Sequence, residues 1–440
     1  MRRILCLLAA CAHPVAGDDD QALVDALGVR PIATLPSANV RGLAIAPLDE
    51  QRIALAGIEH TGDAFCPDCV DLDPAECPSL CTRSRVWVQT VGAPAQIDVA
   101  TVFPVDYDHS VDQVEVVALG ADRVGVAWLD CDNAACLGMF AKRSCTARYA
   151  TVDLAAGSVG APQTLYTGWF GDLSLAFDTT SRQLLAVVAK DLAFGTGMFR
   201  AIFDETGATT LSPWAALGST AARSPALLPG NGEFLVVADD WSPSRPALAS
   251  PCTQSCDCLA AGSIDLEQGG LFAFHVGTGG DVSERVASGR DARGFYARRE
   301  QLAVIDAGGR PMIAATQSID RVAEIFTHDG EAWQLVLSTP APIPLWIGAL
   351  GTADHAAWLG AQPESGASAT VQRLVAGIAA GDASERAAFD EPLDRSVFVA
   401  APVATARGVT SNVLLQGIFR RDGMTLTWDH FDLFAVDASW

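Results

Sequence analysis

Apolar residues along this chain come in short runs, alternating or continuous, with no long stretch at the 3.6-residue period of a helix. Gly, Asp, Asn and Pro separate the runs, and that punctuation predicts strands joined by tight turns. One unit recurs: an apolar strand, a short polar turn, a second apolar strand, then two more. Its first pair of strands is readable at Leu43–Ala46 with Ile53–Ala56, and at Val114–Val117 with Val124–Trp128. It recurs at Leu173–Phe177 with Leu184–Val188, and at Pro225–Leu228 with Phe234–Val237 across Gly230-Asn231-Gly232. Leu302–Ile305 with Met312–Ala315 follows, turning on Gly308-Gly309. A fainter pair is Trp346–Leu350 with Ala356–Leu359, and the last is Val397–Val403 with Val413–Leu415.

Such repetition predicts an all-β chain folded as a single β-propeller of seven four-stranded blades. Six or eight blades, or tandem β-sandwiches, are the competing counts and architecture. Inner strands touch neighbours on both faces, which suits their continuous apolar runs; the outer strand Arg148–Leu154 alternates instead. Asp329-Gly330 supplies a hairpin turn between outer strands. The last unit lacks a fourth strand, and Arg30–Leu35 is expected to supply it and close the ring. The chain shows no WD dipeptides at repeat ends, no Kelch double-glycine series and no complete sialidase-type Asp box.

The N-terminus reads as an address. Arg2 and Arg3 precede an apolar run, Ile4–Ala10, that is far too short to cross a bilayer. Leu8-Ala9-Ala10-Cys11 resembles the lipobox of bacterial lipoproteins. That resemblance implies cleavage before Cys11 and lipidation of its thiol. Ala12, where the familiar retention signal has Asp, implies the outer membrane or cell surface. The expected division is residues 1–10 as signal peptide, 11–29 as tether and short helix, and 30–440 as propeller. The helix would be capped by Asp20 and stopped at Gly28.

Charge narrows the partners. Asp plus Glu outnumber Lys plus Arg by 52 to 29, a net charge of −23. That field repels phosphate backbones, so nucleic acid is excluded as a partner. The membrane is expected to be reached through the N-terminal lipid only. Lys142 and Lys190 are the only lysines, and no P-loop, zincin, nucleophile elbow, dinucleotide fingerprint or EF-hand loop occurs.

Besides Cys6 and Cys11, ten cysteines fall in three clusters: Cys66, Cys69, Cys77 and Cys81; Cys131, Cys136 and Cys145; and Cys252, Cys256 and Cys258. In an exported chain these are expected to form disulfides. Four-thiolate zinc, or a redox pair Cys66-Pro-Asp-Cys69, competes for the first cluster. Each cluster follows the second strand of its unit, so all three insertions should decorate one face of the disc. The leftover cysteines of the second and third clusters would pair across that face.

Candidate site residues lie in blade-to-blade loops, where strand ends converge. Asp106, Asp108, His109 and Asp112 could act as acid and base or hold a divalent cation; no other cofactor and no resident metal is expected. Arg293, Tyr296, Arg298 and Arg299 suit an anionic ligand, unless local carboxylates take them up. Trp169 could stack on a ring, or pack between blades. These residues point to an envelope lipoprotein that binds or scaffolds an anionic small ligand, a glycan or an envelope protein. A propeller-type polysaccharide hydrolase or lyase, or a purely structural protein, is the alternative.

Overall fold

The computed structural model describes residues 27–36, 40–65, 80–93, 95–105, 109–132, 144–168, 170–189, 197–219, 222–241, 267–290, 294, 297–317, 322–340, 347–352, 354–363, 372–380, 383–393, 397–405, 408–422 and 425–439. Every regular element among them is a strand. The first, β1 (Leu27–Pro36), begins where a helix end was expected. The first sheet then follows in chain order: β2 (Val40–Pro47), β3 (Ile53–Phe65), β4 (Leu80–Thr90) and β5 (Ile97–Val105). The second holds β6 (His109–Gly120), β7 (Arg123–Asp132), β8 (Ser144–Asp153), the short β9 (Ser158–Val159) and β10 (Gln163–Gly168).

Three four-stranded sheets come next. One is β11 (Asp172–Asp178), β12 (Gln183–Ala189), β13 (Met198–Asp204) and β14 (Thr210–Leu217). Another is β15 (Arg223–Pro229), β16 (Glu233–Asp240), β17 (Gly270–Gly277) and β18 (Gly280–Ser288). The fifth is β19 (Arg299–Asp306), β20 (Pro311–Gln317), β21 (Val322–His328) and β22 (Trp333–Pro340). The remaining strands are β23 (Ile347–Gly351), β24 (His355–Pro363), β25 (Gln372–Ala380), β26 (Ala383–Leu393), β27 (Val397–Thr405), β28 (Gly408–Asp422) and β29 (Thr425–Ala438).

Six sheets, not the expected seven, make up the propeller. The sixth has eight strands, in the order β1-β29-β28-β23-β24-β25-β26 with β27 beside β28. The two runs expected to be separate blades are hydrogen-bonded to each other where Gly351 of β23 pairs with Val409 of β28. Missing side chains permit that approach. A Cβ on Gly408, which sits at φ +124°, would stand 2.6 Å from the Gly351 carbonyl oxygen. The expected hairpins are otherwise present strand for strand, and tandem sandwiches are not.

The ring closes in two ways. Its first strands meet in the order β2, β6, β11, β15, β19, β23, β27 and back to β2. The N-terminal strand β1 pairs antiparallel with the C-terminal β29, from Leu27 opposite Ala438 to Pro36 opposite His430. Core runs around the whole circle. Ile45, Ile53, Leu55 and Trp87 of the first sheet pack on Val413, Phe431 and Leu433 of the last. Between the second and third sheets lie Leu129, Tyr149, Leu173 and Phe199. Inner and second strands are buried on both faces, which is why β12 reads Leu-Leu-Ala-Val-Val-Ala without alternation.

Candidate functional site

The second-to-third-strand connections carry the cysteine-rich stretches, at 66–79 after β3, 133–143 after β7 and 242–266 after β16. Neighbouring strands within each sheet are antiparallel, so these connections and the sheet-to-sheet loops emerge on one face. Cys131 and Cys145 are register partners on β7 and β8 and form a disulfide at the root of the second stretch. Cys81 lies on β4 opposite Ala64. Cys11, Cys66, Cys69, Cys77, Cys136, Cys252, Cys256 and Cys258 lie outside the described residues, as do Asp106, Asp108, Trp169, Arg293 and Tyr296. His109 opens β6 opposite Asp132, and Asp112 is on the same strand.

On this face, the joints that flank the fourth sheet end in charged groups. In the joint between the third and fourth sheets, Asp240 at the end of β16 accepts from the backbone N–H (2.8 Å) and the hydroxyl of Ser219. Lower in the same joint, Arg200 on β13 grips Asp281 on β18 through Nε and Nη2, the shortest contact 2.7 Å. In the next joint, Asp239 points the opposite way from its neighbour. It accepts from Trp241 Nε1 and from the Arg299 backbone N–H at 3.3 Å, and its Oδ1 has no hydrogen-bond partner. Burial pushes this carboxyl up to about 7, against the opposing Trp241 bond and the Arg299 charge.

Arg299 is not presented to solvent. Its Nε is 2.7 Å from Glu324 Oε2, both side chains are under a tenth exposed, and Nη1 donates to the Ser288 carbonyl. Arg298 lies over the Trp241 ring, 4.8 Å from its centroid. Of the Arg-rich loop, Arg290 is drawn to Glu267. The described arginines of this loop, Arg290, Arg298 and Arg299, therefore do not converge as one anion fork.

Glu115, like Asp239, was not legible as a site residue. Glu115 on β6 faces the joint between the second and third sheets, and burial, with Asp172 adding repulsion, pushes it up to about 7. Its Oε1 accepts from Gln113 Nε2 at 2.7 Å. The Gln113 amide also spans the joint, bonding both the N–H and the C=O of Leu173. The signal available in sequence was a carboxylate inside an apolar inner strand, Val114-Glu115-Val116-Val117, and a second pair ending β16.

The opposite face holds a cavity of about 630 Å3, lined by first-to-second-strand turns of the first, third, fourth and fifth sheets. Asp49, Asp178 and Asp306 line it, each taken up by turn backbone, and Asp178 also accepts from Gly232 N–H in the neighbouring sheet's turn at 2.7 Å. Asp49 is held below its usual range by the Gln51 and Arg52 N–H groups and the Arg52 side chain. Burial alone would raise Asp178, but donors from Ser181, Gly232 and Thr180 outweigh it and lower it. Asp306 accepts from Gly309 N–H at 2.5 Å. No group of three His, Cys, Asp or Glu placed to hold a metal occurs among the described residues.

No protein-family model matches the chain, and no curated protein matches its sequence. Solved structures resemble it only distantly. An oligogalacturonate lyase from Vibrio parahaemolyticus is 10% identical at a TM-score of 0.43, over 92% of this chain and 98% of that one. A Trypanosoma rangeli sialidase is 9% identical at 0.42, over 93% of this chain. This chain spans only 58% of that sialidase's length. A subtype N11 neuraminidase-like protein of a flat-faced bat influenza virus is 8% identical at 0.38, over 97% of this chain and 93% of that one.

Proposed function

We propose that this chain is an exported bacterial lipoprotein, anchored through Cys11, whose propeller binds a ligand or protein partner on its insertion-bearing face. The observation that carries binding over catalysis is the separation of the two near-neutral carboxyls among the described residues. Glu115 belongs to the joint between the second and third sheets, Asp239 to that between the fourth and fifth. Acid–base catalysis by a pair of carboxyls needs both within reach of one substrate atom. Export is supported by the Cys131–Cys145 disulfide, since such bonds persist in oxidising compartments. The anchor is supported by Leu8-Ala9-Ala10-Cys11 behind Arg2-Arg3. The partner is an acidic glycan, a small anion or an envelope protein, reached through Arg298 and the neighbouring Arg293 and Tyr296.

Growth with labelled palmitate and fractionation of the envelope test the anchor. The wild-type chain should carry label and sediment with membranes, and Cys11→Ala should do neither. Acidic and neutral oligosaccharides, offered side by side to the chain lacking its first 11 residues, test the binding face. Selective retention of the acidic set, lost in Arg298→Glu, supports it. Equal labelling in Cys11→Ala, or retention indifferent to Arg298, contradicts the corresponding half.

A further inference from the structure

Asp239 lies at the insertion-face end of β16, and only 1% of it is exposed. Its two oxygens are treated unequally. Oδ2 accepts from Trp241 Nε1 and from the Arg299 N–H, whereas Oδ1 has no hydrogen-bond partner. A buried carboxylate with one oxygen uncompensated resists ionisation, and this group stands at about 7. Its charge therefore changes across ordinary pH. The indole that donates to Asp239 also carries the Arg298 guanidinium over its ring, 4.8 Å from the centroid. One rigid ring thus joins a buried, titrating carboxyl to a half-buried cation of the insertion-bearing face.

The other charged groups around Asp239 offset one another among the described residues. Arg299, at the start of β19, is paired with Glu324 of β21. Asp240, next along β16, is turned into the other joint, where Ser219 holds it. β17 sets Leu271 opposite Asp239, and β18 contributes the Ser288 carbonyl to Arg299; neither titrates. Arg298 is then the charge that Asp239 modulates. With Asp239 protonated, an anion arriving at Arg298 meets its undiminished field. With Asp239 ionised, the Trp241 bond becomes charge-assisted and a negative charge stands behind the ring, offsetting Arg298. The coupling is reciprocal, so Arg298 also favours the ionised form of Asp239.

We propose that Asp239 is a proton-operated gate on Arg298, transmitted through the Trp241 ring, so that the insertion-bearing face holds an anion more tightly when Asp239 is protonated. The anion rests on the insertion-face reading; the coupling of Asp239 to Arg298 does not. The chain lacking its first 11 residues, labelled with 15N at its indoles, is titrated from pH 5 to pH 9, and Trp241→Phe assigns the signal. The Trp241 signal should show a step near neutral pH. That step should vanish in Asp239→Asn, persist in Asp240→Asn and move to higher pH in Arg298→Gln, where the ion loses its neighbouring cation. Inorganic sulfate keeps its charge over this range, so it is the binding probe. It should bind at least about threefold more tightly at pH 6 than at pH 8, with the difference abolished in Asp239→Asn. A missing step, a step that survives in Asp239→Asn or stays in place in Arg298→Gln, or equal sulfate affinity at both pH values would overturn the gate. No sulfate binding at either pH, beside an intact step that moves in Arg298→Gln, would contradict the insertion-face reading and leave the coupling supported.

Discussion

At the scale of single residues, Asp239 ties stability to pH. Its carboxyl stands at about 7 in the fold against an ordinary 3.8, because burial disfavours the ion. A carboxyl raised in this way stabilises the fold fully below about pH 4, and that contribution is lost as pH rises through about 7. The shift is worth roughly 4 kcal/mol. Glu115, raised from 4.5 to about 7, acts in the same direction. Denaturant unfolding at pH 5 and pH 8 should therefore show a less stable chain at pH 8. Asp239→Asn should remove a large part of that difference, and an unchanged difference would show that Asp239 is not held near neutrality. Gly125 illustrates a steric limit. A Cβ there would lie 2.3 Å from the hydroxyl of Tyr149, which is fully buried and donates to the Glu205 carbonyl. Gly125→Ala should cost on the order of 2 kcal/mol through overpacking, read as a lower melting temperature.

Strands and their joints set the next scale. The disulfide between β7 and β8 closes a sequence separation of 14 residues. Replacing both cysteines with Ala should cost about 3 kcal/mol, measured against the oxidised wild type. The Arg299–Glu324 pair joins β19 to β21 with both side chains nearly excluded from water. Arg299→Met leaves Glu324 buried without its counter-charge and should cost about 3–5 kcal/mol. Adding Glu324→Leu should recover most of that loss. A double variant as unstable as the single one would contradict the pair. Arg299 also shows why charge read along a sequence misleads. Its partner is 25 residues further on and two strands across, so nothing local marks it as taken. The turn glycines and the continuous apolar runs of β12, β16 and β20 were legible, because a strand packed on both faces needs apolar residues throughout. Glu115 and Asp239 were visible as interruptions of such runs, but their environment exists only once two sheets meet.

For the whole molecule, closure of the ring was legible and its division into sheets was not. The missing partner of the last strands and the spare strand near Ile32 could be matched by counting. The pairing of Gly351 with Val409 depends on how two runs of strands sit against each other, and no local pattern encodes it. Closure gives the disc its rigidity, because every sheet is packed on two others and β1 covers the edge of β29. The pairing of β1 with β29 is therefore the central claim. Thr34 donates to Asp432 at 2.7 Å across that pair, nearly 400 residues away in the chain. Thr34→Cys with Asp432→Cys, oxidised and mapped by mass spectrometry, tests it directly. A cross-linked peptide joining residues 34 and 432 of one chain, formed in high yield with no loss of melting temperature, is the predicted result. Absence of that peptide, or its formation only between two chains, would contradict the closed ring.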